Sequence, residues 1–503
     1  MKSNDRVLGV FLIGWFILQI LSAYFTELYN DEAYYWVYSQ HLDWGYFDHP
    51  PVVGALIKAG TFLIDNELGV RLPFIILSTW TIYLLYLLVK KDVRKFIYLI
   101  LGIFPFHLLG FMALPDMPFL FFATFFFFIY EKYLENDTWL NAFGLAVAIS
   151  GMFYSKYHAI LIVVFTILSN WELVKRKTFY FATVMTLVLF APNIIWQIVN
   201  DYPSIQYHFF QRSAKTYHFS FTIEYVIGQL FFYGPFISIF MWFFTVKKLF
   251  KKSENLFQKS LKYNLIGVFI FFLLISFKGR VEVNWTIPFL APLIILSYDK
   301  IILNRWLISL SIFTFSITLL IRLHLITPLI NLEHERGHEF RGHKEFAKQV
   351  KEKSQGLPIV ANSYQKAGIL SFYLKEPITS FNIEGRKNLF GMLDFADSLN
   401  GKKIAFVNGH LPGDSINIKG HQRQVSILEN ISLHRNVSIE WLNEKPLSSH
   451  NEFCFTIKKL NKIKKGTYSR KSFLLILIEQ GNQKVYKKEL LELEDKFPFL
   501  KKN

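Results

Sequence analysis

The sequence predicts a polytopic α-helical membrane protein of about 11 transmembrane helices, followed by a small extracytoplasmic α/β domain. Three observations predict it. Of the 503 residues, 52% are hydrophobic and 54 are Phe, and the mean hydropathy is +0.28. Apolar runs recur from residue 7 to residue 326, and the basic residues between them fall preferentially in alternate loops. A soluble core does not account for that combination. The formal charge of +17 belongs to lysines that sit between spans, where they face anionic headgroups. Nucleic acid is therefore not the partner it implies.

Residues 1–24 open with Lys2 and Arg6 and run into an apolar stretch without a small-residue cleavage site, so they form a retained first span rather than a signal peptide. A span needs about 20 mostly apolar residues. Candidates lie near 7–24, 72–89, 96–112, 117–130, 139–153, 158–170, 178–199, 225–246, 263–277, 285–299 and 306–326. With the N-terminus inside, the inner loops hold 18 Lys or Arg and the short outer loops hold 7. That asymmetry orients the chain. Loops 25–71, 113–116, 154–157, 200–224 and 278–284 then emerge together on the outer face, as does everything after 326. The domains expected are a transmembrane domain, 1–326, with a first outer loop at 25–71, and an outer domain, 327–503, with a Lys-rich end.

Within the first outer loop, Val52 to Ile64 is apolar with one lysine and follows Pro50-Pro51, which predicts a helix lying along the interface. In the tail, Leu357 to Ala361, Lys403 to Val407 and Phe453 to Ile457 read as strands and Gln365 to Leu374 as a helix. The single cysteine, Cys454, excludes an internal disulfide and any cysteine-based zinc cluster, and is read as a packed strand residue.

The chemistry-bearing residues gather on the outer face. Tyr29-Asn-Asp-Glu-Ala-Tyr-Tyr-Trp36 puts Asp31 and Glu32 just beyond the first span, with Tyr35 beside them. A hydroxyl is a poor nucleophile at neutral pH, so displacement at a sugar carbon needs a carboxylate to take its proton. Asp31 suits that role, and the competing reading is that Asn30 or Asp31 caps a helix beginning at Ala33. Asp116, in Leu114-Pro-Asp-Met-Pro118, is either an ionisable group held at membrane depth for function or a helix cap. Lys156, Arg212, Lys278 and Arg280 bring cations to the same face, suited to a departing phosphate or to phospholipid headgroups. His334, His338 and His343 have partly helical spacing but flank Gly337 and Gly342, which favours a solvated linker over a metal site.

Six blocks in order, YNDEAYYW, GYFDHPP, ALPDMPF, SKYHA, PNIIWQIVNDYPSIQYHFFQR and KGRVEVNWTIPFLAPL, resemble bacterial glycosyltransferases of families 39 and 83, related to protein O-mannosyltransferases and to the lipid A aminoarabinose transferase. The resemblance spans most of 25–300 and implies the multi-spanning GT-C fold. It implies that Asp31, with Glu32 beside it, is the catalytic carboxylate, and that Asp116 is the acidic residue of the second outer loop. It matches Asp48 and His49 to an acidic residue followed by a phosphate-binding lysine, which His49 replaces here. Donor-phosphate contacts are implied for Lys156 with Tyr157, Arg212, Lys278 and Arg280, and Glu282 and Asn284 fall in the last block as site-lining residues. The implied reaction is an inverting transfer from a polyprenyl-phosphate-linked sugar to a lipid, glycan or protein acceptor, with no required cofactor and no catalytic divalent metal.

Two other functions compete with this expectation. An oligosaccharide ligase or polymerase using lipid-diphosphate donors would carry a large central outer loop, whereas the longest loop before the tail here follows span one. A lipid or solute transporter would place ionisable groups near the midplane in repeated halves. Neither pattern is present in the sequence. A bacterial inner membrane, with the N-terminus cytoplasmic, is the location the resemblance implies.

Overall fold

In the computed structural model the described residues are 3–89, 92–206, 217–329, 339–381, 388–393, 398–399, 401–409, 411–418 and 421–429, with six further short strand segments beyond them. The chain divides into two compact units, Met1–Lys344 and Glu345–Asn503.

The first unit is helical throughout. Its long helices are α1 (Ser3–Phe25), α4 (Glu67–Val89), α7 (Asp116–Glu135), α10 (Lys177–Val199), α14 (Leu256–Ser276) and α16 (Arg305–Ile326), and these six are long and apolar enough to cross a membrane. Between α1 and α4 lie two shorter helices, α2 (Asn30–Gln40) and α3 (Val52–Leu63). The second matches the interfacial helix expected after Pro50-Pro51, and Phe62 and Leu63 at its end are exposed. Helix α8 (Trp139–Ser155) and α9 (Ile160–Ser169) are apolar but shorter. Residues 283–289 form a 3-10 turn that leads into α15 (Leu290–Tyr298).

Two of the expected spans are broken rather than continuous. The stretch 96–112 splits into α5 (Val93–Leu101) and α6 (Phe104–Leu108). Pro105 has no N–H for the Leu101 carbonyl one turn back. That carbonyl instead pairs with His107 Nε2 at 2.9 Å. The stretch 225–246 lies within two helices, which follow the one-turn α11 (Pro203–Ile205): α12 (Phe219–Phe232) and α13 (Ile237–Leu249), bent by 105° to one another. Gly234-Pro235 explains the bend: Pro235 lacks a donor, and Gly234 has φ +129°, which side-chain-bearing residues rarely adopt. A Cβ on Gly234 would lie 2.2 Å from the Gly102 carbonyl oxygen, and the Phe104 N–H donates to the Tyr233 carbonyl at 3.3 Å. The two breaks therefore pack against each other and satisfy part of the backbone that each exposes.

At one end of this unit the loops around 92–95 and 298–301 are tied together. Tyr298 donates to the Asp92 carbonyl at 2.7 Å, and Lys95 Nζ donates to the carbonyls of Tyr298 at 2.9 Å and Ile301 at 3.2 Å. Both were assigned by charge to the inner side. The loops assigned to the outer side meet one another instead, as described below.

The helical unit runs past residue 326 because 339–344 are bound to the segment between α1 and the start of α4. The His343 N–H donates to Glu27 at 2.6 Å, Lys344 pairs with Glu67 at 2.8 Å, and Phe340 stacks on Tyr29. In the second unit, α17 (His343–Lys353), whose first residues close the helical unit, is followed by β1 (Ile359–Ala361), α18 (Tyr364–Leu374), β2 (Thr379–Ser380), α19 (Leu389–Met392), β3 (Ile404–Asn408), β4 (Asp414–Ile416) and β5 (Arg423–Leu428). The sheet order is β2-β1-β3-β5-β4, with β1 parallel to β2 and β3 and the remaining pairings antiparallel. Val360, Leu399, Ile404 and Phe406 form its core. Further on, Ser438–Trp441 pairs antiparallel with Phe455–Lys458. Cys454 and most of the Lys-rich end lie outside the described residues.

Candidate active site

The loop between α1 and α4 is held by a buried ion pair. Glu32 lies in the first turn of α2, completely buried, and both of its oxygens are engaged. Arg71 donates from Nε to Oε1 at 2.8 Å and from Nη2 to Oε2 at 2.6 Å. The Ala113 N–H donates to Oε1 at 2.7 Å, and the Tyr29 N–H to Oε2 at 2.8 Å. The remaining Arg71 donors reach the carbonyls of Ala23, Thr26 and Glu27, which the end of α1 leaves without helical partners. A carboxylate committed to four donors is a structural pin, not a proton acceptor awaiting substrate. The helix begins at Asn30, three residues earlier than expected, and the Glu32 side chain accepts from the Tyr29 N–H at its start. Asp31 is partly exposed beside it.

The second cluster joins three loops. Asp116 opens α7 and is 3% exposed; its Oδ1 accepts from Lys156 Nζ at 2.7 Å and from Asn284 Nδ2 at 3.1 Å. Lys156 is itself 3% exposed and ends α8 in extended conformation. Buried charges persist only when paired and hydrogen-bonded. Residues singled out separately in loops 113–116, 154–157 and 278–284 are thus brought into direct contact.

Next to Lys156, the hydroxyl of Tyr157 accepts from Gln197 Nε2 at 2.7 Å, and Gln197 also donates to Ser204 at 2.8 Å. Ser204 in turn donates to the Tyr46 carbonyl at 2.8 Å. The strap 43–46 is fastened to α10 by Asn193 Nδ2 donating to the Trp44 carbonyl at 2.6 Å and by Trp196 Nε1 donating to Asp43 at 2.7 Å. Four of the loops assigned to the outer face, around 25–71, 113–116, 154–157 and 200–205, are therefore linked in one network, and Asn284 adds the fifth.

Asp48 is buried at 2% exposure and accepts from the hydroxyls of Tyr38 and, at 3.4 Å, Tyr34. Burial and the neighbouring Asp48 carboxylate hold the Tyr38 phenol well above its usual range, so it remains a donor. Tyr35 stands edge-on to His49, with ring centroids 5.4 Å apart. The two cations of the last loop are placed differently from Lys156. Lys278 is exposed, and Arg280 is an exposed residue paired with Glu224 at 3.2 Å. Glu282 is half-buried beside the 3-10 turn that carries Asn284. Arg212, and His334 and His338, lie outside the described residues, while His343 contributes its backbone N–H to Glu27. Among the described residues no group of three His, Cys, Asp or Glu side chains is arranged to hold a metal ion.

Arg71, Asn193, Gln197 and Ser204 were not singled out in the sequence, although each ties a site residue in place. Arg71 had a legible signal, a lone arginine four residues into an apolar helix. The three polar residues around Tyr157 carry no comparable signal.

The helices and the converging loops define a polytopic helical membrane fold built around one buried polar cluster. Residues 48–196 match the family model described as dolichyl-phosphate-mannose-protein mannosyltransferase, a stretch that contains Asp48, His49, Asp116, Lys156 and Tyr157. The structure is similar to that of ArnT from Cupriavidus metallidurans in the apo state, with a TM-score of 0.64 at 14% identity over 84% of this chain and 98% of that one. It is similar also to ArnT from the same organism bound to undecaprenyl phosphate, with a TM-score of 0.60 at 14% identity and the same coverage. Comparison by sequence with curated proteins gives no match.

Proposed function

We propose that this protein is an inverting glycosyltransferase that moves a sugar from a polyprenyl-phosphate donor to a lipid, glycan or protein acceptor at the non-cytoplasmic face of a bacterial inner membrane. The observation that carries the reading is the buried Asp116–Lys156–Asn284 contact, which fixes an ammonium group where the outer loops converge. Lysine bonded through one N–H keeps two more for the oxygens of a phosphate. The donor's isoprenoid chain would lie in the bilayer, with its phosphate against Lys156. Asp31, beside the pinned Glu32, takes the proton of the acceptor hydroxyl as the acceptor oxygen bonds to the anomeric carbon. The anomeric carbon–oxygen bond breaks, and its electron pair leaves with the polyprenyl phosphate. An acceptor that is already ionised needs no proton removed, and Asp31 then orients it. These roles require no metal or organic cofactor.

The similarity of 48–196 to a family named for a polyprenyl-phosphate sugar donor, and of the fold to a structure bound to undecaprenyl phosphate, supports this donor class. The inner-loop excess of basic residues supports the orientation. The test is transfer by purified protein in lipid, from radiolabelled polyprenyl-phosphate sugars to a membrane extract, comparing wild type with Asp31→Asn. Asp31-dependent labelling of an extract component supports the reading. Binding or flux of lipid without transfer from any donor rejects it in favour of a transporter.

A further inference from the structure

Between Trp306 and Ile326 the only Lys, Arg, Asp or Glu is Arg322, and it is 3% exposed inside the helical unit. A guanidinium at that depth is costly unless its donors are matched. Its Nη1 donates to Ser22 Oγ at 2.7 Å, and its Nη2 donates to Gln19 Oε1 at 2.9 Å and to the His107 carbonyl. Gln19 in turn donates from Nε2 to the Phe106 carbonyl at 3.0 Å. All the acceptors of Arg322 are neutral, whereas Arg71 and Lys156 face carboxylates. The arginine thus joins the last span to the outer part of α1 and to the turn that follows the α5–α6 break.

Those two segments flank the Glu32 pin. The ring of Phe111, fully buried, lies 5.3 Å from the Arg322 guanidinium carbon and 5.5 Å from that of Arg71. Two residues later, the Ala113 N–H donates to Glu32. The end of α1 is held over residues 19–22 by Arg322 and over 23–27 by Arg71. Aromatic contact with two guanidiniums makes Phe111 the piece through which a shift of either reaches the other.

We infer that Arg322 is a positioning residue. It fixes the 106–113 turn and the end of α1 so that Arg71 and Ala113 hold Glu32, and with it Asp31, in a single place. The catalytic part of this inference rests on the reading of Asp31 as the carboxylate that meets the acceptor. Arg322 itself touches no reacting atom.

The experiment compares wild type, Arg322→Gln, Arg322→Lys and Phe111→Leu as full chains in lipid nanodiscs, by hydrogen exchange and by transfer kinetics. Arg322→Gln is expected to raise exchange about tenfold in 19–33 and 106–114 while leaving α7 and α14 at wild-type protection. It should lower kcat per folded molecule by about 10–100-fold with donor KM within about twofold, because misplacement by about 1 Å costs rate rather than ground-state binding. Arg322→Lys keeps the charge but not the planar fork, and should fall between. Phe111→Leu should give the same pattern from a neutral change, and combined with Arg322→Gln it should lose less than the product of the two. Unchanged exchange in 19–33 and 106–114, or wild-type kcat per folded molecule, overturns the inference. A wild type that turns over no donor counts against the proposed function instead, and the exchange data alone then decide the role of Arg322.

Discussion

Replacing Lys156 by methionine separates its two jobs, since the lysine both neutralises Asp116 and, in the proposed function, holds the donor phosphate. The two side chains are each 4% exposed and 2.7 Å apart, so solvent screens the pair little. Removing the ammonium leaves the Asp116 carboxylate with the neutral Asn284 amide at 3.1 Å, and breaking a buried pair in this way costs about 3–5 kcal/mol. Adding Asp116→Asn removes the stranded charge, so the double variant should recover most of that loss, with a coupling of about 1–3 kcal/mol. Transfer should not recover, because no cation remains for the phosphate. The assay is unfolding in detergent micelles, alongside transfer from a polyprenyl-phosphate sugar. Wild-type stability in Lys156→Met would show that the pair carries no burial cost. Renewed transfer in the double variant would show that Lys156 does not contact the donor.

Neighbouring carboxylates should respond oppositely. Asp31→Asn is expected to lower kcat by about 10²–10⁴-fold at unchanged stability. Glu32→Gln, whose amide would face N–H groups that now donate to a carboxylate, should lose about 3–5 kcal/mol of stability; equal unfolding midpoints for the two variants would refute this division. Gly234→Ala should destabilise the protein, because a methyl group would lie 2.2 Å from the Gly102 oxygen at a backbone angle that alanine rarely adopts, and a wild-type melting curve would contradict it. Burial holds the Glu27 carboxyl above its usual value of 4.5, against the opposing pull of the His343 N–H and Lys344. Its folded form therefore keeps the proton more tightly than the unfolded chain does. That contribution to stability is fully present below pH 4.5 and is lost as pH rises through the higher folded value, so Glu27→Gln should flatten the pH dependence of stability in that window, as acid titration of the melting temperature would reveal.

Helical segments were legible because each span must bury its backbone polar groups within itself, which makes a long apolar run a strong signal. Each of the 11 expected segments overlaps helical structure, but among the described residues six are single helices long and apolar enough to span; the separate stretch 52–64 forms α3 as expected. What sequence pattern did not convey was continuity. Pro105 and Gly234-Pro235 stand in runs as apolar as their neighbours, and hydropathy does not register a missing N–H. At the first break the His107 ring pairs with the Leu101 carbonyl, and the Tyr233 carbonyl, from a distant part of the chain, accepts from the Phe104 N–H.

For the candidate site, residue type was more legible than role. Asp116 and Lys156 were each balanced between function and ordinary surface chemistry when read singly, and it is their contact across 40 positions that gives the pair its meaning. Glu32 shows the converse. It sits beside Asp31 in an acidic pair, yet Arg71, 39 residues away, turns it into a pin for the loop. A carboxylate whose four contacts are all supplied by the protein holds the loop in place, and the proposed function accordingly gives the proton transfer to Asp31. Lone arginines in apolar helices, Arg71 and Arg322, were the overlooked signal in the sequence. Arg71 is bonded through Nε and both terminal nitrogens and Arg322 through both terminal nitrogens, so the placement of the loop after α1 depends on two guanidiniums buried within the helical unit.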